Sequence, residues 1–147
     1  MVEITAAPLE PDVILASVAS PASGATVLFL GTTRKYTDAR ETERLSYSAY
    51  TDMAIRQMEQ LEDQARRRWP LVGCVLIHRV GEVPVGDASV AVAVSSPHRR
   101  DAFEAANWLI DTLKLVVPVW KKEHWTGNAA GWIHPGLDLH SGRDSLQ

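Results

Sequence analysis

Apolar and polar positions recur along this chain with two different periods, and the period decides the element. Ala25 to Gly31 is a short apolar run rich in β-formers and bounded by Gly24 and Gly31. It predicts a buried strand that delivers Thr32, Thr33 and Arg34 at its end. Leu45 to Tyr50 alternates with period two and predicts a half-buried strand. Gly73 to Val80 and Ala88 to Ser95 are two further β-runs, and the Gly and Pro residues between Gly81 and Asp87 predict a turn that makes them antiparallel. A helical period takes over within Met53 to Trp69, where Ala54, Met58, Leu61, Ala65 and Trp69 share one face, with Thr51 or Asp52 as the N-cap and Pro70 as the stop. Pro97 opens a second helix to about Lys114, striped by Ala102, Phe103, Ala106, Leu109, Ile110 and Leu113. Val116 to Lys121 returns to an extended pattern despite Pro118. Residues 1–24 read as peripheral and loop-like, with a short helix over Asp12 to Ser20, and the charged stretch Lys35 to Arg44 as a mobile loop. From Gly127 onward the chain is loop-like again around an apolar island at Gly131, Trp132 and Ile133, and 134–147 is peripheral.

These elements fit one α+β domain spanning 1–147, with antiparallel β-sheets packed against two main helices. A length of 147 residues, 46% hydrophobic and 22% charged, suits a single globular core. A formal charge of -3 supplies no global field to attract nucleic acid or anionic lipid. The start of the chain has no basic region followed by an uninterrupted apolar stretch, so the expectation is a soluble cytoplasmic protein with no membrane anchor. The single cysteine, Cys74, sits in a β-run and reads as a small buried hydrophobe. Five histidines without HExxH spacing or paired cysteines predict no metal, and the absence of Walker, GxGxxG and GxSxG patterns predicts no nucleotide cofactor and no serine-esterase elbow.

Candidate chemistry comes from how the cations are distributed. Only four lysines exist, and Lys114, Lys121 and Lys122 fall within nine residues. If Lys114 ends a helix and the next segment is a strand, Lys114 and Lys121 can face one cleft. There an ammonium holds an oxyanion, and a desolvated amine serves as base or nucleophile. The plainer alternative is a lysine favoured by the helix C-terminus, beside a solvated Lys-Lys-Glu run. Arg34 after its strand, with His98 and Arg99 at a helix start, forms a second cationic set suited to phosphate or carboxylate. His78 and Arg79, leading into a glycine turn, could be catalytic, but a charged pair there more often hydrogen-bonds neighbouring backbone, and the structural reading comes first.

In order and spacing, several motifs resemble the catalytic (large) subunit of molybdopterin synthase, the MoaE family. They are Gly31-Thr32-Thr33-Arg34, Leu45 to Tyr50 leading to Met53-Ala54, His78-Arg79-Val80-Gly81-Glu82, Ser96 to Phe103, and Leu113-Lys114 followed by Pro118-Val119-Trp120-Lys121-Lys122-Glu123. The resemblance implies a hammerhead-like α+β fold and a sulfurtransferase of molybdenum cofactor biosynthesis that converts cyclic pyranopterin monophosphate to molybdopterin. Its sulfur donor would be the C-terminal Gly-Gly thiocarboxylate of a small ubiquitin-like partner subunit, on a homodimer core within a heterotetramer. By position it makes Lys114 and Lys121 the functional lysines and Arg34, His98 and Arg99 the substrate-anion contacts, with Thr32, Thr33, Lys122 and Glu123 adjoining them. Ser48 departs from the pattern, standing where many relatives have glutamate. The rival reading is a non-catalytic module that binds a pterin or phosphate with the same cations and performs no reaction.

Overall fold

The continuous apolar runs of the sequence become strands covered on both faces. In the computed structural model, which describes residues 1–127 and 130–133, the first sheet runs in the order β1 (Val2–Thr5), β5 (Gly73–Arg79), β7 (Ala88–Ser96), β2 (Ala25–Thr32). Strands β5, β7 and β2 pair antiparallel, and β1 lies parallel to β5. Alternation along β5 and β7 sorts their side chains. Cys74, Leu76, Val90, Val92 and Val94 join the main core under helices α2 (Thr51–Arg68) and α3 (Arg99–Val116). Val75, Ile77, Ala91 and Ala93 face the other way, against Ile14 and Val18 of helix α1 (Pro11–Val18). Two-sided burial explains why these strands lack polar alternation.

The second sheet follows the order β3 (Tyr36–Thr37), β4 (Arg40–Ala49), β8 (Val119–Trp125), β9 (Ala130–Ile133), with β6 (Gly81–Pro84) also pairing with β4. All its pairings are antiparallel. The architecture is the α+β domain expected, with a third, shorter helix closing the first sheet.

Several local expectations need correcting. Lys35 to Arg44 is no loop: Tyr36 pairs with Glu41 and Thr37 with Arg40 around a two-residue turn in which Asp38 takes φ 54°. Aspartate tolerates that left-handed backbone better than most residues. The hairpin is held without an apolar stripe, by Arg40 stacked 4.4 Å above the Trp125 ring and by buried Thr42 bonded to Glu123. Gly81 to Asp87 is a turn only after Pro84, because Gly81–Pro84 forms β6 and buries Val83 completely. The opening residues carry β1 as well as a helix, and the island at Gly131 to Ile133 belongs to β9. The N-cap of α2 is Tyr50, with no side-chain cap, and both Thr51 and Asp52 lie in the first turn, where an acid suits the helix dipole. The extended stretch after α3 begins at Val119 and runs on to Trp125. The peripheral segment expected over 134–147 lies outside the described residues.

Candidate functional site

The cleft lies where the two sheets and α3 meet. It is a cavity of about 590 Å³. The end of β2 contributes Gly31 and Thr32, with Arg34 just beyond it; β4 contributes Thr42, Leu45 and Tyr47, and α3 ends into it with Leu113 and Lys114. Strand alternation selects the contribution of β8. Val119, Lys121 and Glu123 line the cleft, whereas Trp120, Lys122 and His124 lie on the opposite face. Lys122 there sits 5.6 Å from the Trp132 ring, and Trp120 meets Tyr50 edge to face at 5.0 Å.

The site therefore gathers Arg34, Lys114, Lys121 and Glu123 from three separate chain segments. Arg34 is exposed at the mouth, Lys114 and Lys121 are half-buried, and Glu123 is buried. Glu123 Oε1 accepts a 2.6 Å bond from Thr42 Oγ1, which anchors the carboxylate beneath the cations. Three cations and one anion leave a local excess of positive charge in a chain whose formal charge is -3. In a partly desolvated pocket that local field governs what binds. Arg34 and Lys114 make no ion pair among the described residues. Lys114 also borders a shallower groove of about 380 Å³ between β2 and α3, flanked by Phe29, Phe103 and Ile110.

Other sequence candidates lie elsewhere. Thr33 is buried behind the mouth, its N–H donating to Asp87 O and its carbonyl accepting from Gly86 N, so it fixes the backbone leading to Arg34. His98 and Arg99 are exposed at the start of α3, roughly 22 Å along the helix axis from Lys114. Within one chain they do not line the cleft. Conversely, Leu45 and Tyr47, which no local motif marks as site residues, line the cleft, and so does His78, for which the structural reading came first. The signal for Leu45 and Tyr47 was the alternation of their strand, which places them on one face with their cross-strand partners Glu123 and Lys121.

Two titratable groups carry environments that bear on chemistry. Burial pushes the Cys74 thiol up to about 11, so it stays protonated and unreactive at neutral pH. It also lines neither the cleft nor the groove. Burial lowers His78 to about 4, keeping its ring neutral. Among the described residues no group of three or more His, Cys, Asp or Glu side chains is placed to hold a metal ion. No helix among them is long and apolar enough to cross a membrane.

The chain is thus a small α+β domain with a cation-lined cleft between two sheets, where the local field suits an anion. The chain belongs to the MoaE family, whose model, described as "MoaE protein", matches residues 4–115. It is 42% identical over 142 residues to the molybdopterin synthase catalytic subunit of Nostoc sp., covering 96% of this chain and 86% of that one. The crystal structure of molybdopterin synthase from Staphylococcus aureus superposes with a TM-score of 0.82 at 36% identity, covering 88% and 94% of the two chains. At 23% identity, a chain in the complex of subunits 1 and 2 of molybdopterin-converting factor from Helicobacter pylori shares the fold, with a TM-score of 0.71 and coverage of 88% and 87%.

Proposed function

We propose that this chain is the catalytic subunit of a molybdopterin synthase, a sulfurtransferase of molybdenum cofactor biosynthesis. It converts cyclic pyranopterin monophosphate to the dithiolene product with sulfur from a small partner's C-terminal Gly-Gly thiocarboxylate. The observation that carries the reading is the convergence of Arg34, Lys114 and Lys121 on one cavity. Cyclic phosphate and thiocarboxylate are both anionic, and the cavity is cationic inside an acidic chain. The partner fits the same geometry, since an extended glycine tail can bring its backbone close to paired lysines at the bottom of a cleft.

In this reading the thiocarboxylate sulfur attacks a substrate carbon, the carbon–oxygen bond there breaks with its electron pair leaving on oxygen, and the partner's acyl group is linked to the carbon as a thioester; a second partner tail repeats the exchange at the neighbouring carbon. Water or a lysine amine then attacks the acyl carbon through a tetrahedral oxyanion, and cleavage of the acyl C–S bond leaves sulfur on the pterin. Lys114 and Lys121 act at this step, an ammonium holding the oxyanion and an amine moving a proton or capturing the acyl group. Arg34 holds the substrate phosphate at the mouth. His98 and Arg99 contribute to anion binding from a second copy of the chain, as the homodimer core requires if they are to reach a cleft they do not line in their own chain. Thr32 borders the substrate, while Thr33, Lys122 and Glu123 support it indirectly through backbone, opposite-face packing and counter-charge. The compartment is the reducing cytoplasm.

Mixing the protein with a thiocarboxylated small subunit and the cyclic pterin tests the proposal: dithiolene product is expected, and pterin bound without product would favour the non-catalytic module. The chain and pterin alone should form none, because its only thiol, Cys74, is buried and protonated. Cys74→Ser should keep most of the activity per folded molecule, and loss of turnover in a folded Cys74→Ser protein would contradict a partner-borne sulfur source. Arg34→Ala should weaken pterin binding by about 1.5–3 kcal/mol through loss of a charge-assisted contact. Equilibrium binding across a salt series checks this, since wild-type affinity should fall with ionic strength more steeply than that of Arg34→Ala.

A further inference from the structure

His78 is the sixth residue of β5, on the same face as Cys74 and Leu76, at the point where that face opens into the cleft. The residue is 4% exposed. Nδ1 lies 2.8 Å from the carbonyl oxygen of Arg79. A carbonyl only accepts, so Nδ1 carries the proton and Nε2 carries the lone pair. The Tyr47 ring, edge to face at 5.0 Å and 65°, holds the imidazole plane. No other hydrogen bond engages the ring among the described residues. Its neighbours around the cavity differ from it in one respect. Arg34, Lys114 and Lys121 are cations that donate, Glu123 Oε1 accepts from Thr42, the Ser89 hydroxyl donates to the Gly31 carbonyl at 3.4 Å, and the hydroxyls of Thr32 and Thr37 can turn to donate or accept. Among the described lining residues His78 supplies a neutral ring nitrogen whose tautomer is fixed by its bond to the Arg79 carbonyl, a more rigid acceptor than a hydroxyl.

We propose that His78 is a substrate-orienting residue whose Nε2 accepts a hydrogen bond from an N–H or O–H group of the bound pterin and so sets which ring edge meets Lys114 and Lys121. The cations recognise the anionic end of the substrate but cannot distinguish the orientations of the uncharged ring. A fixed acceptor can, because the flipped ring would leave either the acceptor or a ring donor unpaired inside a desolvated cavity. Burial keeps the ring neutral throughout the neutral range, so the lone pair stays available beside the cations.

This inference rests on the synthase reading, and two substitutions separate the roles of the two ring nitrogens. His78→Asn keeps an amide donor for the Arg79 carbonyl near the place of Nδ1 and removes Nε2. His78→Gln places an acceptor near Nε2 and gives up the donor. Pterin affinity is expected to fall about tenfold or more in His78→Asn and to stay within about threefold of wild type in His78→Gln. Inorganic phosphate affinity should be unchanged in His78→Asn, since the anion is held by other groups. Wild-type pterin affinity in His78→Asn, equal losses in both variants, or a parallel loss of phosphate affinity in His78→Asn would overturn the proposal and leave His78 a structural residue. The two readings fail separately. A wild-type protein that makes no dithiolene with its partner defeats the synthase assignment, whereas an active wild type with an indifferent His78→Asn defeats only the orienting role.

Discussion

Replacing either Lys114 or Lys121 by arginine is expected to slow dithiolene formation by about 10²–10³-fold while folding and partner binding persist, whereas Lys122→Ala stays within about tenfold of wild type, a barrier change of about 1.4 kcal/mol. The contrast follows from strand geometry. Lys121 and Glu123 face the cleft, and Lys122 lies across the strand beside Trp132. Arginine retains the charge that stabilises an oxyanion but is not deprotonated in proteins, so it can neither shuttle the proton nor capture the acyl group. Single-turnover rates on the three variants decide the matter. Near-normal turnover for Lys121→Arg with a collapse in Lys122→Ala would overturn the assignment of roles.

The second large effect concerns the partner. Adding one residue to its Gly-Gly tail should depress turnover by about 10²-fold or more while leaving complex formation nearly intact, because misplacing a reacting atom by about 1 Å already costs that much. The lysines proposed to receive the tail are held by rigid elements, Lys114 near the end of an 18-residue helix and Lys121 within a paired strand, so a longer tail is not expected to be followed by the site. Turnover measured alongside the dissociation constant of the complex checks this. Equal activity with the longer tail would place the reacting sulfur outside the cleft.

What the sequence revealed, and what it concealed, divides along physical lines. Elements whose stability comes from a buried stripe were readable: β2, β5, β7, α2 and α3 all carry apolar residues at the spacing their geometry demands. Elements stabilised by long-range polar contacts were not. The hairpin of β3 and β4 depends on Arg40 meeting Trp125 and Thr42 meeting Glu123, partners about eighty positions away that no local window contains. Strand β6 was hidden by its glycine and proline, and β1 and β9 are short edge strands. For the cleft, the lysine concentration was visible and strand alternation separated Lys121 from Lys122. The position of His78 depended on knowing that the end of β5 meets β4, where the Tyr47 ring lies against it. The distance from His98 and Arg99 to Lys114 follows from helix length, and it needed only α3 to be drawn to scale.

Strand β8 bears cleft residues on one face and an aromatic cluster on the other, and this makes the site sensitive to a kind of change that substitution scanning does not sample. Deleting or inserting a single residue between Pro118 and Lys121 would move the register against β4 by one step, turning Trp120 and Lys122 toward the substrate and Lys121 and Glu123 toward Trp132. The number of residues in β8 is therefore constrained as tightly as the identity of its cleft-facing side chains.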